Sequence, residues 1–213
     1  MPRPAIEQPE LMPLAEGVTS RRVVLRRYRF GDGAALFEAL APHREELMQW
    51  MEWPRRHQRV EDSESYARRM HAEFIQRRSM PMAIFEAGSC RYLGGAGFHA
   101  PDWTTPKAEI GYFLLPPARG AGVASDAVRL QIHYAFEQMQ VNRVWGSCDA
   151  GNDASAGVMR RAGMREEGLL RAETRDHHGE VRDTLVFGLT LDDFPAWSGN
   201  HGVPDRTYLP VPQ

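Results

Sequence analysis

The chain has 213 residues, 42% hydrophobic and 25% charged, which suits one domain with a substantial core. Its formal net charge of −2 excludes the basic excess of a general nucleic-acid binder. Cys90 and Cys148 stand outside any C-x-x-C spacing, no apolar run reaches the ~18 residues of a membrane span, and no basic-then-apolar secretory signal opens the chain, so a cytoplasmic protein with free thiols and no membrane association is expected.

Residues 1–17 carry Pro2, Pro4, Pro9 and Pro13 with few bulky apolar groups, and read as a loosely ordered lead-in. One strand is predicted over 18–29, with Arg21, Arg22, Arg26 and Arg27 as a solvated rim rather than a phosphate contact. Asp32 is placed to N-cap a helix whose apolar side is Leu36, Phe37 and Leu40. A short helix over 43–51 follows and ends in Trp50-Met51-Glu52-Trp53-Pro54. The two tryptophans serve either as core or as the apolar wall of a substrate channel. A helix over 61–78 is capped by Asp62 or Ser63 and repeats Tyr66, Met70 and Phe74 on one face. A hairpin joins strands 82–86 and 92–98. Gly94, Gly95 and Gly97 in its second arm mark the close approach of a backbone or a ligand.

The most informative stretch runs over 107–139. Lys107-Ala-Glu-Ile-Gly-Tyr-Phe-Leu-Leu115 is a strand with Ala108, Ile110, Tyr112 and Leu114 on one face and Glu109, Gly111, Phe113 and Leu115 on the other. Pro116 and Pro117 stop it, since neither has an N–H to donate. Arg119-Gly-Ala-Gly-Val-Ala124 then leads into a helix with Val123, Ala127, Leu130 and Tyr134 on one face. A glycine-rich turn entering a helix presents unpaired N–H groups, and a partial positive charge, to an anion. Neither a Walker motif nor a dinucleotide fingerprint is present. Beyond the helix come a strand over 143–148 and a short helix N-capped by Asn152 or Asp153 and ended by Gly163. Strands over 164–175 and 181–191, joined at His177-His178-Gly179, precede a tail over 198–213 that reads as loose. No metal is expected, because the eight histidines show no i, i+4 pair with a carboxylate partner.

Arg119, Gly122 and Ala124 fit the Gln/Arg-x-x-Gly-x-Gly/Ala pattern, and Asn152-x-x-Ser155-x-x-Val158 follows one strand later. Together they resemble the acetyl-CoA segments of the GNAT N-acyltransferases, in the branch of the ribosomal-protein N-terminal acetyltransferases. The resemblance spans residues 18–197. It implies a single α/β domain whose mixed, mostly antiparallel twisted sheet is flanked by helices, and acetyl-CoA as cofactor, with coenzyme A as product.

The resemblance also implies roles. Acetyl-CoA would lie between two splayed central strands, its pantetheine on the backbone of Phe113 and Leu115. Its pyrophosphate would rest on the amides of Gly120, Ala121, Gly122, Val123 and Ala124, with Arg119 adding charge and Asn152 and Ser155 completing the site. A backbone N–H near Phe113 or Leu114 would meet the oxyanion. Glu109 is the first candidate for the base that neutralises the amine, or is instead paired with an arginine across the sheet; Glu173 is the second candidate. Ser155 would hydrogen-bond the departing sulfur, since Met159 stands where many members of the family place a tyrosine. Trp50, Trp53 and Glu109 would border the acceptor, a protein N-terminus or a small-molecule amine. A homodimer and a non-catalytic acyl-CoA-binding module are further possibilities.

Overall fold

The computed structural model describes residues 1–49, 51–176 and 178–210. Strands β1 (Gly17–Thr19) and β2 (Val23–Arg27) form a hairpin and precede α1 (Asp32–Leu40), α2 (Arg44–Leu47) and α3 (Val60–Gln76). A meander of β3 (Met80–Glu86), β4 (Tyr92–Asp102) and β5 (Lys107–Leu114) leads into α4 (Val123–Glu137). Then come β6 (Arg143–Asp149), α5 (Asp153–Arg161), β7 (Arg165–Arg175), β8 (Val181–Thr190), α6 (Phe194–His201) and β9 (Thr207–Leu209). All nine strands join one sheet in the order β7-β8-β6-β5-β4-β3-β2-β1-β9, antiparallel except between β5 and β6. This is the mixed, mostly antiparallel sheet expected.

The sheet has two apolar faces, because its strands alternate side chains with a period of two. One packs on α4, α5 and α6 around Val128, Tyr134, Phe136, Met159 and Trp197. The other packs on α1, α2 and α3 around Tyr28, Leu36, Leu40, Leu47 and Ala67. The faces foreseen for β5 are those adopted: Ala108, Ile110 and Leu114 are buried in the first cluster, whereas Phe113 packs on the second.

Several expectations are corrected. The strand over 18–29 is broken at 20–22, where Ser20 N–H donates to Val23 O and turns the chain back. Of the arginines read as a rim, Arg26 grips Asp32 at 2.8 Å and Arg27 pairs with Glu16, which is 3% exposed. Asp32 therefore does not cap α1; Gly31, at φ 93, takes that position, and the Asp32 carboxylate is held by Arg26. Asp62 does serve α3, accepting from Arg59 N–H at 2.9 Å and Gln58 N–H at 3.1 Å. The described parts of the lead-in and the tail make specific contacts. Arg3 donates to Phe136 O at 2.7 Å, and β9 completes the sheet against β1. Glu137 clamps the tail, accepting from Arg206 Nε at 3.0 Å and Tyr208 Oη at 2.5 Å. An open strand edge and a half-buried carboxylate both need partners, and the tail supplies them.

The glycines of β4 answer to the protein itself. A Cβ on Gly94 would lie 2.1 Å from Phe113 O, and one on Gly95 would lie 2.4 Å from the Phe113 ring.

Candidate active site

The central parallel pair comes apart. β5 and β6 are in register only at Lys107↔Arg143, Ala108↔Val144 and Glu109↔Trp145, and beyond Glu109 no further pairing joins them. The hydrogen-bonding edge of β5 that faces β6 is therefore open from Ile110 onward. Which residues use that edge follows from the other neighbour. Leu115 N–H donates to Leu93 O at 2.9 Å, so Leu93 and Leu115 are a bonded pair, and bonded pairs recur at every second residue. Phe113 thus turns its backbone groups to β4, and Tyr112 and Leu114 turn theirs into the opening. The assignment of pantetheine to Phe113 and Leu115 is corrected accordingly. Both backbone groups of Leu115 are spent, its carbonyl on Ala118 N–H at 2.9 Å. Leu114 keeps its N–H in the opening, while its carbonyl accepts from Arg119 Nε at 3.3 Å.

The glycine turn lies at the wide end of this opening. Gly120 (φ 80) and Gly122 (φ 79) are both left-handed, and Gly122 is the N-cap of α4. Among the described residues, no protein oxygen accepts from the N–H groups of Gly120, Ala121, Gly122, Val123 or Ala124. Alternating right- and left-handed residues that converge their N–H groups form an anion-binding nest, and the helix dipole adds to it. Arg119 flanks the nest and is held by Glu46 of α2 at 2.5 Å, with both side chains 46% exposed. A surface pair of that kind is worth little, so an incoming phosphate can take the guanidinium. Arg22, read from the sequence as rim, reaches across from the β1–β2 turn. It donates to Ala121 O and lies 3.2 Å from Asp126, bracing the turn from outside.

Nearer the point of parting, the predicted Asn152 and Ser155 meet Tyr112, which was not foreseen as a site residue. Asn152 Oδ1 accepts from Ser155 N–H at 3.0 Å, the cap expected for α5. Ser155 Oγ lies 2.9 Å from the Tyr112 phenol oxygen. Burial pushes the Tyr112 phenol up to about 12, with the Ser155 bond pulling the other way. Burial also raises the Cys148 thiol. Met159 is buried behind them, against Gly146 of β6. On the opposite face of the sheet, Glu109 accepts from Ser147 Oγ at 3.1 Å. Among the described residues it forms no ion pair, so the arginine-paired alternative is not what the structure shows. Glu173 is not brought to this group. It sits in the register shift between Leu170 and Thr174 on the exposed outer strand.

The α2–α3 connection covers the Phe113 face of β5. The Trp53 ring lies 5.0 Å from Phe113, 5.8 Å from Tyr66 and 5.2 Å from His57, so it packs within an aromatic group beside β5. Trp50 lies outside the described residues. A cavity of about 460 Å³ opens beside β6, lined among others by Glu52, Asp149, Asp176 and Arg182. The Arg182 guanidinium, 2.8 Å away, lowers the pKa of the Asp149 carboxyl.

His57 is 2% exposed, with Nδ1 2.8 Å from Ser63 Oγ. Burial, only partly opposed by Asp62, pushes it down to about 4. The unfolded chain binds this proton below about 6.5 and the folded chain does not until about 4. Stability is therefore full above pH 6.5 and falls as pH drops through that window. Urea titrations between pH 7 and pH 4 are expected to show a declining midpoint, with a shallower decline in His57→Gln.

Among the described residues, no group of three or more His, Cys, Asp or Glu side chains is arranged to hold a metal ion, and no helix is long and apolar enough to cross a membrane.

The chain is 36% identical over 88 residues to the putative ribosomal N-acetyltransferase YdaF of Bacillus subtilis, covering 41% of this chain and about half, 46%, of that relative. It is 26% identical over 136 residues to the ribosomal-protein-serine acetyltransferase of Escherichia coli, covering 64% of this chain and 75% of that protein. Among solved structures, Mycobacterium smegmatis RimJ in complex with CoA-disulfide superposes with a TM-score of 0.76 at 26% identity, covering 86% of this chain and 91% of that one. The model of the acetyltransferase (GNAT) domain matches residues 22–165, more than half of the chain, which therefore belongs to the GNAT acetyltransferases, a family whose acyl donor is acetyl-CoA.

Proposed function

We propose that this chain transfers the acetyl group of acetyl-CoA to the α-amine of a protein or peptide N-terminus, by direct attack with both substrates bound. The single observation that carries the reading is the parting of β5 from β6 beside a nest of main-chain N–H groups that, among the described residues, no protein oxygen takes.

The residues present fit the cofactor. The amides of Gly120 to Ala124 suit the pyrophosphate, with Arg119 released from Glu46 to join it. The open backbone groups of Tyr112 suit the pantetheine amides, in place of a lost strand partner. When bound, acetyl-CoA supplies an activated thioester carbonyl. Leu114 N–H, aimed into the opening, is the donor available to its oxygen. Ser155, 2.9 Å from the Tyr112 phenol oxygen, is the hydroxyl assigned to the sulfur in this reading.

On the other face, Glu109 takes the proton of the attacking amine, directly or through water, with Ser147 fixing its carboxylate at 3.1 Å. An α-amine titrates near ~8 and a lysine near ~10.4, so a single carboxylate of this kind is better matched to the former. The adjoining cavity sets Glu52, Asp149 and Asp176 against Arg175 and Arg182, with Asp149 taken up by Arg182, so its lining carries only a small negative excess toward an approaching ammonium group. Relatives named for acting on ribosomal proteins support a protein acceptor.

Thiol release from acetyl-CoA should be measured with peptides bearing free Ser or Ala N-termini, the same peptides blocked at the N-terminus, a lysine-only peptide and a polyamine. Release with the free N-termini alone is expected. Glu109→Gln should lower kcat by roughly a hundredfold while leaving coenzyme A binding unchanged. Turnover confined to the polyamine would replace the acceptor, and silence across the panel with coenzyme A still bound would leave a binding module.

A further inference from the structure

Tyr112 and Ser155 lie 43 positions apart, and no motif joins them. The phenol oxygen is 3.0 Å from the Ser155 carbonyl oxygen and 2.9 Å from Ser155 Oγ. A phenol has one proton, so it donates to the carbonyl or to the hydroxyl but not to both. If it donates to the carbonyl, the serine hydrogen is spent on the phenol oxygen. If it donates to Oγ, the serine hydrogen is free to point elsewhere. The rest of Ser155 is pinned, its N–H by Asn152 at 3.0 Å, so this hydrogen is the part left to move.

The phenol holds its proton firmly. Burial takes it to about 12, whereas an ordinary thiol titrates near ~8.5, so a thiolate beside Ser155 would accept a hydrogen bond and not the tyrosine proton.

We propose that Tyr112 is a positioning residue that acts through Ser155: its O–H turns from the Ser155 carbonyl to Ser155 Oγ and releases the serine hydrogen to the sulfur of coenzyme A. The inference rests on the coenzyme A reading above. No covalent bond changes at either residue. One pair of hydrogen bonds replaces another, and the Ser155 carbonyl remains within α5, where an intrahelical partner is available. A strand thereby serves the sulfur in a site where α5 carries Met159 and no tyrosine.

Calorimetry with coenzyme A and with desulfo-coenzyme A, which lacks the thiol, separates this role from packing. Wild type, Tyr112→Phe, Ser155→Ala and the double variant are compared. Tyr112→Phe and Ser155→Ala are each expected to bind coenzyme A about three- to tenfold more weakly, and the double variant no more weakly than Ser155→Ala. Desulfo-coenzyme A should bind all four alike. In turnover, Tyr112→Phe should lower kcat with KM for acetyl-CoA little changed. Additive losses in the double variant, or an equal loss for the desulfo compound, would overturn the role of Tyr112 and leave the cofactor site standing. Failure of the wild type to bind either compound would overturn both.

Discussion

Gly122→Val is expected to weaken coenzyme A binding by tenfold or more in calorimetry, with the far-ultraviolet circular dichroism unchanged. At φ 79, Gly122 is left-handed, a region that costs an L-residue roughly 1–2 kcal/mol and a β-branched one more. The chain relieves that cost by rotating toward negative φ, which turns the neighbouring N–H groups out of the nest. A second effect adds to the first. A Cβ at Gly122 would lie 2.9 Å from Arg22 Nη1, the group that holds the Ala121 carbonyl on the outer side of the turn. Each 1.4 kcal/mol lost is tenfold in affinity, so strain alone reaches about that factor. Gly88→Val is the control. Gly88 has φ 88 with nothing within 4 Å of a built Cβ, and it lies in the β3–β4 hairpin turn, so the same backbone cost should leave cofactor binding intact.

The largest loss of stability is expected at Glu16. Its carboxylate is 3% exposed and joins Arg27 of β2 to Arg29, while its N–H donates to Leu209 O of β9 at 2.9 Å. Arg27 is itself mostly buried, at 13%, and burial together with the charges of Arg29 and Arg77 lowers its pKa. Glu16→Ala would leave that guanidinium without its counter-charge in a confined site. Breaking a buried pair on one side costs about 3–5 kcal/mol, which for a chain of this size lowers Tm by roughly 10 °C. Removing both charges is milder, because each ion's desolvation is then avoided. The double variant Glu16→Leu with Arg27→Met should recover most of the loss in thermal unfolding. A double variant no more stable than Glu16→Ala would show that packing, and not the orphaned charge, sets the cost.

Much of the site was legible before any fold was known, because its signals are local. The stop at Pro116-Pro117, the left-handed glycines Gly120 and Gly122 and the Asn152 cap each depend on a few neighbouring residues. The alternation of β5 placed Glu109 and Phe113 on one face and Tyr112 on the other, which the packing reproduces. Local rules also misled where a distant group competed. Asp32 has the chemistry of an N-cap, but Arg26 holds its carboxylate. The proline-rich beginning and the polar tail look unstructured by composition, yet Asn142 and Glu137 hold them through contacts spanning 139 and 71 positions.

By itself, then, the sequence determined which residues of β5 alternate, where α4 and α5 begin and where the glycine turn lies, because periodicity and capping act over one turn or one strand. Helix α6, by contrast, went unread in a stretch rich in proline, glycine and polar residues. Only the tertiary structure decided which edge of β5 stays open, and hence that Tyr112 and Leu114, not Phe113 and Leu115, offer their backbone groups. A strand's faces follow from its own residues, whereas its edges are assigned by the register of its neighbours. The same holds for Arg22 against Ala121 and Tyr112 against Ser155, pairs separated by 99 and 43 positions, whose meeting depends on how the sheet is ordered and where it parts.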